Sequence, residues 1–495
     1  MQYVSTRAAC APVSPSVAVL EGLAPDGGLY LPEQLPGLCP PAQIAALGAV
    51  GQRELTAKVI AALLPDIGYE AAARAVELGY GDKFDGPELT SLVPVKDAFV
   101  LELWHGPTSA FKDMALCVLP RLMAAAREQN HIQEELLILT ATSGDTGKAA
   151  LAGFSGAPHA KVMVFYPERG VSAVQKAQMV TQEGENVTVC AVRGDFDDAQ
   201  RGVKRALGDF HVPGVRATSA NSINVGRLAP QAAYYFAAYG KLLARGAIRP
   251  GDKVNFVVPT GNFGNILAGY LAKRMGLPIG KLVCASNEND VLYEFLSTGV
   301  YNRASRRLIK TASPSMDILV SSNLERLLYY MAQTGSGEGD GALLRGLMGE
   351  LNENGRYRAP EGLLARIRSQ GGFLPARCAE AEAFSAIRTL HREEGYLMDP
   401  HTAVAWQAYE TLREGGALDG PTVVLSTASP FKFAPAMLEA LGLAVPENGF
   451  SAMEELALRT GLPIPRNLAG LKEKTVLHRD VIDPADMKAY IIDNI

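Results

Sequence analysis

Cysteine and histidine are scarce in this chain. It has 6 cysteines and 7 histidines in 495 residues, and the cysteines at positions 10, 39, 117, 190, 284 and 378 never form a CxxC pair. Zinc sites and small disulfide-bonded domains show recurrent short cysteine spacings, which are missing here. We therefore predict no metal site and no disulfide framework, and we expect a cytoplasmic protein in a reducing compartment.

Long apolar runs and a strong excess of one charge are also missing. We find no uncharged apolar stretch of about 18 residues, the length that a membrane-spanning helix needs. The chain starts Met1-Gln2-Tyr3-Val4-Ser5, without the basic and then apolar pattern of a secretion signal. The formal net charge is only -5. These features predict no membrane span and no nucleic-acid or membrane partner.

Apolar, strand-like runs alternate with amphipathic stretches over most of the chain. Hydrophobic residues make up 48% and charged residues 20%, as in ordinary globular proteins. Strands are predicted at 98–103, 136–141, 161–166, 187–192, 253–258, 282–285 and 422–426. Alternation of strands with helices favours a doubly wound α/β fold. Because the region of about 350 residues is too long for one sheet, we expect two lobes.

The pattern changes at both ends of this α/β region. Residues 1–90 show helical apolar spacing, which indicates a small N-terminal domain. Residues 91–440 form the two-lobed core, with an insert near 333–374 that opens on a glycine-rich acidic segment. Residues 441–495 mix short helices with prolines, and we expect a C-terminal extension there.

One loop carries a lysine in an unusual setting. Residues 105–113 (HGPTSAFKD) follow an apolar strand and lead into an apolar helical pattern, with Lys112 flanked by Phe111 and Met114. Apolar neighbours remove hydration from a lysine, which favours its neutral amine and makes it a nucleophile toward carbonyl groups. The alternative is an exposed lysine in an ordinary first helical turn, which is the common case.

Three further loops lie where predicted strands end, the position at which open α/β sheets bind ligands. Residues 140–148 (TATSGDTGK) and 259–265 (PTGNFGN) have glycines and amides that can hold an anion at a helix N-terminus. Residues 426–433 (STASPFKF) place hydroxyl groups at a third strand end. Each loop has the alternative of a plain helix cap. A lysine, a phosphate loop that is neither Walker nor GxGxxG, and a hydroxyl for a ring nitrogen together fit pyridoxal phosphate (PLP).

The motifs together resemble the threonine synthase family of fold type II PLP enzymes, which are tryptophan synthase β-like. The motifs that carry the resemblance are 105–113, ATSGDTGKAAL (141–151), NSINVGRL (221–228), PTGNFGNILAGYLAKRMG (259–276), SPSMDI (313–318) and STASPFKF (426–433). Segments 4–7 and 21–30 look like the N-terminal domain of the long bacterial and fungal branch. The resemblance implies an α/β fold of two doubly wound lobes plus a small N-terminal domain.

The resemblance also implies a role for individual residues. Lys112 would be the catalytic residue, which bonds the cofactor and then moves protons. The cofactor phosphate would be held by Gly261, Asn262, Phe263 and Asn265, and the pyridine nitrogen by Thr427. The substrate's amino-acid end would be bound by Thr142, Ser143, Asp145 and Thr146, and its phosphate by Asn221, Ser222, Asn224 and Arg227. For Arg227, the spacing alone equally suits a charge on a helix surface.

The implied reaction converts O-phospho-L-homoserine and water to L-threonine and phosphate, by γ-elimination and then β-addition of water. The protein would be a PLP-dependent carbon–oxygen lyase acting on phosphate, and a monomer or homodimer. The alternatives are a related PLP-dependent phospho-amino-acid lyase or serine/threonine dehydratase, and a non-catalytic binding protein on this fold. The chain departs from the family's pattern at Ser429, where histidine is frequent, and at Val225-Gly226.

Overall fold

A computed structural model gives the structure of residues 1–142, 144–208, 210–332 and 339–495. Two predictions fall outside these ranges: the substrate contact of Ser143, and the first part of the insert, residues 333–338.

Strands and helices alternate from about residue 91 onward. The strands are β1 (Tyr3–Ser5), β2 (Tyr30–Pro32), β3 (Ser91–Val95), β4 (Ala98–Glu102), β5 (Glu135–Ala141), β6 (Ala160–Pro167), β7 (Val187–Val192), β8 (Val215–Ser219), β9 (Val254–Pro259), β10 (Ile279–Ser286), β11 (Val300–Asn302), β12 (Arg356–Arg358), β13 (Phe373–Arg377), β14 (Thr422–Ser426) and β15 (Asp480–Ile482). The helices are α1 (Pro15–Glu21), α2 (Pro41–Ile44), α3 (Gln52–Leu63), α4 (Tyr69–Tyr80), α5 (Asp113–Leu116), α6 (Leu119–Gln129), α7 (Asp145–Phe154), α8 (Ala173–Val180), α9 (Phe196–Gly208), α10 (Leu228–Ala244), α11 (Gly264–Arg274), α12 (Val291–Thr298), α13 (Leu324–Met331), α14 (Gly341–Asn354), α15 (Glu361–Arg366), α16 (Glu380–Glu394), α17 (Pro400–Glu414), α18 (Ala434–Ala440), α19 (Gly449–Thr460) and α20 (Met487–Asp493).

Two predominantly parallel sheets form the two lobes. The larger sheet has the order β13-β10-β9-β14-β4-β3, with only β3 antiparallel to its neighbour, and the smaller has the order β15-β7-β6-β5-β8. The central strands β9 and β14 are buried along their whole length, as expected for parallel strands covered by helices on both faces. The predicted α/β fold with two lobes is confirmed, and all the strands that the sequence predicted are present.

Several strands escaped the sequence prediction because they lie at or near sheet edges. Strand β15 is three residues long and mostly exposed, yet it pairs in parallel with β7. Strand β13 contains Pro375 and pairs only with β10. Edge strands have one partly solvated side, so their sequences lack the continuous apolar run that marks a central strand.

Neighbouring strands β4 and β14 bring two of the predicted loops together. The Phe111 N–H donates to the Thr427 carbonyl at 2.8 Å, and the Ser429 N–H donates to the Ser109 carbonyl at 3.1 Å. The lysine loop and the 426–433 loop are therefore joined by backbone hydrogen bonds directly beyond the carboxyl ends of their strands, which fixes the position of Lys112.

Helix α10 joins the N-terminal part of the chain to the larger lobe. Its 17 residues are buried almost all round, and it packs against both α3 and α11. A helix that is apolar on all faces belongs in the interior of a large protein. In the described part of the chain, no helix has both the length and the apolar character needed to span a bilayer.

Buried Arg326 connects the N-terminal segment to the loop after β8. Its guanidinium donates to the Tyr30 carbonyl at 2.8 Å and to the Ile223 carbonyl at 2.6 Å. Neighbouring Glu325 accepts from the Thr6 hydroxyl at 2.6 Å. Residues close to the chain's start thus support the loop that carries residues 221–227.

Helix α7 lies so close to α5 that Gly153 leaves no room for a side chain. A methyl group at Gly153 would be 2.0 Å from the Leu116 carbonyl oxygen. We expect Gly153→Ala to lower the free energy of unfolding by about 1–3 kcal/mol, the usual cost of overpacking, as measured by urea denaturation.

The matched control is Gly346→Ala, also in a helix interior but with no atom within 4 Å of the added methyl. There the better helix propensity of alanine should raise stability by up to about 1 kcal/mol. Equal effects of the two substitutions would contradict the close approach of α5 and α7.

Candidate active site

Lys112 is buried at the junction of the two lobes' loops, directly before α5. It is 9% exposed, which makes the surface-lysine alternative wrong. Its Nζ donates to Ser315 Oγ at 3.2 Å, and it lies 3.8 Å from Asp145 Oδ2 and 5.3 Å from the centre of the Phe111 ring. The amine therefore meets a hydroxyl, a carboxylate and an aromatic ring instead of water.

The environment of Lys112 favours its neutral form. Burial, assisted by the positive charges of Lys432 and Arg227 and opposed by Asp145, lowers the pKa of Lys112 to about 8. A neutral amine is present in useful amounts near neutral pH under these conditions, while the group can still bind and release a proton. Lys112 thus meets the chemical requirement for a nucleophile that also moves protons.

Asp145, the first residue of α7, is held by a second buried lysine. Lys432 Nζ donates to Asp145 Oδ1 at 2.5 Å and to the Thr108 carbonyl at 3.0 Å, and Gln175 donates to the same carboxylate oxygen at 2.9 Å. Burial alone would raise the pKa of Asp145, but the two lysines hold it well below its usual range. Sequence reasoning missed Lys432, whose only signal was its place in the motif STASPFKF.

The loop after β9 is shaped by glycine and by a strained residue. A methyl group at Gly261 would lie 2.4 Å from the Ser315 carbonyl oxygen, so only glycine fits. Phe263 has a φ of 62°, in the left-handed region, and its ring lies 5.7 Å from that of Phe373 in the core. Left-handed backbone at a non-glycine residue is uncommon and concentrates at functional sites. The side chain of Phe263 packs in the core, so this residue can contact a ligand only through its backbone.

Asn265, in the first turn of α11, has an unused donor. Its Oδ1 accepts from the hydroxyls of Tyr234 at 2.5 Å and Tyr235 at 3.0 Å. These bonds fix the amide so that Nδ2 points away from them, and this buried Nδ2 has no hydrogen-bond partner among the described residues. An unsatisfied buried donor is costly, so a ligand acceptor is expected there. Together with the N-terminus of α11 it fits a phosphate.

The other predicted phosphate contact, Asn262, differs in exposure. Its side chain is exposed, while its carbonyl accepts from the N–H and the side-chain amide of Asn323 at 3.1 and 3.0 Å. Asn323 thereby ties the loop after β9 to the start of α13.

The loop after β5 is closed by Thr142. Its hydroxyl accepts from the backbone N–H groups of Gly144 and Gly147 at 2.9 Å each, which shapes the entry into α7. Thr146 is partly buried in the first turn of that helix. The start of α7 therefore presents Thr142, Asp145 and Thr146 from one short segment, and their contact with a substrate stays a prediction.

The four predicted residues after β8 divide into two kinds. Asn224 is fully engaged: it donates to the Val19 and Ser219 carbonyls and accepts from the Gly226 N–H, all within 3.1 Å. Ser222 uses its carbonyl to accept from Asn323 at 3.1 Å. These contacts make both residues part of the loop's own support.

Arg227 and Asn221 have unsatisfied atoms instead. Arg227 is 3% exposed, so the helix-surface interpretation is wrong. It donates to the Ala220 carbonyl at 3.3 Å, while its Nε and the Asn221 Oδ1 have no hydrogen-bond partner in the described ranges. Burial lowers the pKa of Arg227 to about 10, and no described carboxylate lies within ion-pair distance of it. A buried arginine without a carboxylate is suited to an anionic ligand.

Thr427 and Ser429 lie on the third loop. Thr427 is 6% exposed and directly follows Ser426, whose hydroxyl accepts from Trp104 Nε1 at 2.9 Å. Ser429 Oγ accepts from the Phe431 N–H at 3.4 Å, so it caps the turn Pro430–Phe433. The residue at which the chain departs from the family's pattern therefore has a local structural role.

Ser315 is a second residue that sequence reasoning missed. Its backbone N–H donates to His401 Nε2 at 3.2 Å, and His401 Nδ1 lies 2.7 Å from Asp399 Oδ1. An imidazole that accepts a hydrogen bond at Nε2 must carry its proton on Nδ1. The Nδ1–H group therefore donates a hydrogen bond to the Asp399 carboxylate. The pair Asp399–His401 thus holds Ser315 over Lys112. The motif SPSMDI was the available signal.

The residues fit a phosphate-bearing aldehyde better than a metal ion. No group of three or more His, Cys, Asp or Glu side chains in the described ranges is placed to hold a metal. Instead, a buried amine at Lys112 lies among loops that offer an orphaned donor at Asn265 and a helix N-terminus. These are the groups that PLP requires.

Family models cover most of the chain in order. Residues 2–80 match the model of the threonine synthase N terminus, residues 87–338 that of pyridoxal-phosphate dependent enzymes, and residues 402–491 that of the threonine synthase C-terminal part.

Individual proteins that match this chain over most of its length carry the same family name. Threonine synthase of Methylobacillus glycogenes is 38% identical over 89% of this chain and 92% of its own length. Threonine synthase-like 1 of Homo sapiens is 38% identical over 90% of this chain, which spans 61% of the length of that relative.

Solved structures of threonine synthases also match this fold. PLP-bound threonine synthase from Brucella melitensis superposes with a TM-score of 0.86 at 38% identity, covering 100% of this chain and 99% of its own. Yeast threonine synthase gives a TM-score of 0.88 at 32% identity, covering 100% and 98%. The fold, the placement of the loops and these matches lead to one conclusion: the chain belongs to the threonine synthase family of fold type II PLP enzymes.

Proposed function

We propose that this chain is a PLP-dependent threonine synthase, which converts O-phospho-L-homoserine and water to L-threonine and phosphate. The observation that carries the proposal is the buried amine of Lys112, with a pKa lowered to about 8, among anion-binding loops. Membership of the threonine synthase family supports the same assignment.

The geometry of the loops supports the residues that we propose to hold the cofactor. Bound PLP supplies an aldehyde that bonds amines and a ring that withdraws electrons from the bonded substrate. Lys112 would bond that aldehyde, and Asn265 Nδ2 with the backbone of 261–264 would bind the phosphate. Thr427, as a neutral hydroxyl, would face the pyridine nitrogen. Asn262 and Phe263 would contribute through backbone groups.

Lys112 also has the properties of the proton carrier that the reaction needs. Proton transfers at two adjacent substrate carbons require a mobile base with a pKa near the working pH. Its ammonium form is stabilised by Ser315 Oγ at 3.2 Å and by Asp145 at 3.8 Å, and its neutral form by burial. The same group can therefore accept a proton from one carbon and return it to another.

The substrate's two anionic ends would be bound by different loops. The start of α7, with Thr142, Ser143 and Thr146, would receive the α-carboxylate at the helix N-terminus. Asp145 is paired with Lys432, so it would influence the bound substrate through its charge and not through a direct hydrogen bond. Arg227 would bind the phosphate, because Arg227 Nε and the charge of its guanidinium are unpaired. Asn221 would join it through Nδ2, which makes only a long hydrogen bond of 3.5 Å to the Ala141 carbonyl. Ser222 and Asn224 would support that loop.

Product analysis separates the proposal from its alternatives. Purified protein supplied with PLP and O-phospho-L-homoserine should release phosphate and form L-threonine in equal amounts. Formation of 2-oxobutyrate and phosphate without threonine would instead assign a phospho-amino-acid lyase. Formation of pyruvate from free serine, or of 2-oxobutyrate from free threonine, at comparable rates would assign a dehydratase. Phosphate release at the rate of a protein-free control would leave only the non-catalytic binding protein.

Three further predictions accompany the proposal. The domains 1–90, 91–440 and 441–495, the monomeric or homodimeric state and the cytoplasmic location stay predictions. Limited proteolysis, sedimentation and cell fractionation test them in that order.

A further inference from the structure

The ion pair between Lys432 and Asp145 is fully buried and lies beside the reactive amine. The side chains are 0% and 3% exposed, and their charged atoms are 2.5 Å apart. Burying such a pair costs desolvation that the attraction between the charges only partly offsets. Lys432 lies in the one-turn helix Pro430–Phe433, and its Nζ contacts the Asp145 carboxylate and the Thr108 carbonyl. Its position calls for a functional explanation.

The two oxygens of Asp145 have different partners. Oδ1 accepts from Lys432 at 2.5 Å and from Gln175 at 2.9 Å. Oδ2 faces the Ser315 hydroxyl at 3.4 Å and Lys112 Nζ at 3.8 Å. Lys112 is thus close to a carboxylate whose charge is already balanced by another lysine. A lone carboxylate at this distance would hold Lys112 as an ammonium ion, which is not nucleophilic.

We propose that Lys432 is a positioning residue: its ammonium group saturates Asp145, so that Lys112 keeps a reactive amine beside a carboxylate. Asp145 can then orient the lysine without capturing it as a tight ion pair. The inference rests on the proposed function in one respect only, that Lys112 acts as a nucleophile.

Other charges around Lys112 do not replace this pairing. Asp113, buried one residue away, accepts from the Thr108 N–H at 2.8 Å and the Thr108 hydroxyl at 2.6 Å. Burial raises the pKa of Asp113 to about 6, and both oxygens of its carboxylate are engaged by Thr108. Arg227 adds positive charge from the loop after β8. His401 reaches Lys112 only through Ser315.

The test measures the protonation of Lys112 directly. In the full-length chain without PLP, the rate of reductive methylation of Lys112 is followed against pH by peptide mass spectrometry. The midpoint should lie near pH 8 in the wild type. In Lys432→Met, the unbalanced carboxylate should raise the midpoint by at least about one pH unit. Lys432→Arg, which keeps the charge, should stay near the wild type.

A matched control is available in the same region. Lys148 is a partly buried lysine, whose Nζ donates to Gln182 Oε1 and whose pKa is lowered by desolvation to about 8. Lys148→Gln removes a partly buried charge that is hydrogen-bonded to Gln182 and not to Asp145, so the midpoint of Lys112 should not move. A midpoint in Lys432→Met within about 0.3 pH units of the wild type would overturn the proposal.

A second pair of variants keeps the test decisive if Lys432→Met does not fold. Asp145→Asn and the double variant Asp145→Asn/Lys432→Met both lack the unpaired buried carboxylate. Because Lys432 is proposed to act on Lys112 by balancing the Asp145 carboxylate, adding Lys432→Met to Asp145→Asn should move the Lys112 midpoint by less than about 0.3 pH units. A rise of about one pH unit in the double variant would show that Lys432 acts without Asp145 and would overturn the proposal. Threonine formation by the wild type is measured separately, so failure of the inference and failure of the proposed function give different results.

Discussion

Lys112→Ala should eliminate covalent attachment of PLP and lower kcat for threonine formation by at least about 10³-fold. Two contributions are lost together: the nucleophile that bonds the aldehyde and the base that moves protons, the latter alone worth about 10²–10⁴-fold. Borohydride reduction and peptide mass spectrometry measure attachment, and phosphate release from O-phospho-L-homoserine measures turnover. The fold should survive, because alanine leaves Ser315 and Asp145 with each other and with Lys432 as partners.

Lys148, a partly buried lysine whose pKa is also lowered to about 8, is the comparison for this substitution. Lys148→Gln should keep PLP attached at residue 112, since Lys148 Nζ is committed to Gln182 Oε1. If Lys112→Ala retained more than a few per cent of wild-type turnover, Lys112 would not be the catalytic amine. Attachment of PLP at another lysine in the wild type would contradict the assignment even more directly.

The loops of the site could be predicted because they follow buried parallel strands. Strands β9 and β14 are buried throughout, so their sequences are continuous apolar runs that end abruptly at glycine or hydroxyl residues. Parallel strands end at one edge of a sheet, which brings the following loops together. Lys112 was identifiable for the same reason, as a charged residue between apolar ones. Its burial and lowered pKa agree with that reasoning.

The interactions between loops could not be predicted, because they join residues far apart in sequence. Lys432 and Asp145 are separated by 287 positions, and Ser315 and Lys112 by 203. Nothing in the local pattern around Lys432 distinguishes a buried ion pair from a lysine in a capped turn. Arg227 shows the same limit: its spacing suits a helix surface, but in the fold it is only 3% exposed.

Gly261→Ala should weaken PLP binding at least about tenfold and lower kcat/KM for threonine formation about 10²-fold. The added methyl would lie 2.4 Å from the Ser315 carbonyl oxygen and 3.5 Å from Met316 Cα, so one of the two loops must move. Movement of the loop after β9 misplaces Asn265, and movement of the other loop shifts Ser315 away from Lys112. A displacement of about 1 Å at such a site costs about 10²-fold in rate.

The comparison with Gly346→Ala decides whether the effect is local. Gly346 has no atom within 4 Å of an added methyl, and it lies on α14, away from the loops of the site. Both variants add one methyl group, so only the clash at residue 261 distinguishes them. Equilibrium dialysis with PLP should show weaker binding for Gly261→Ala alone, while circular dichroism shows both folded. Wild-type PLP affinity in Gly261→Ala would mean that the contact between the 259–265 loop and Ser315 does not shape the cofactor site.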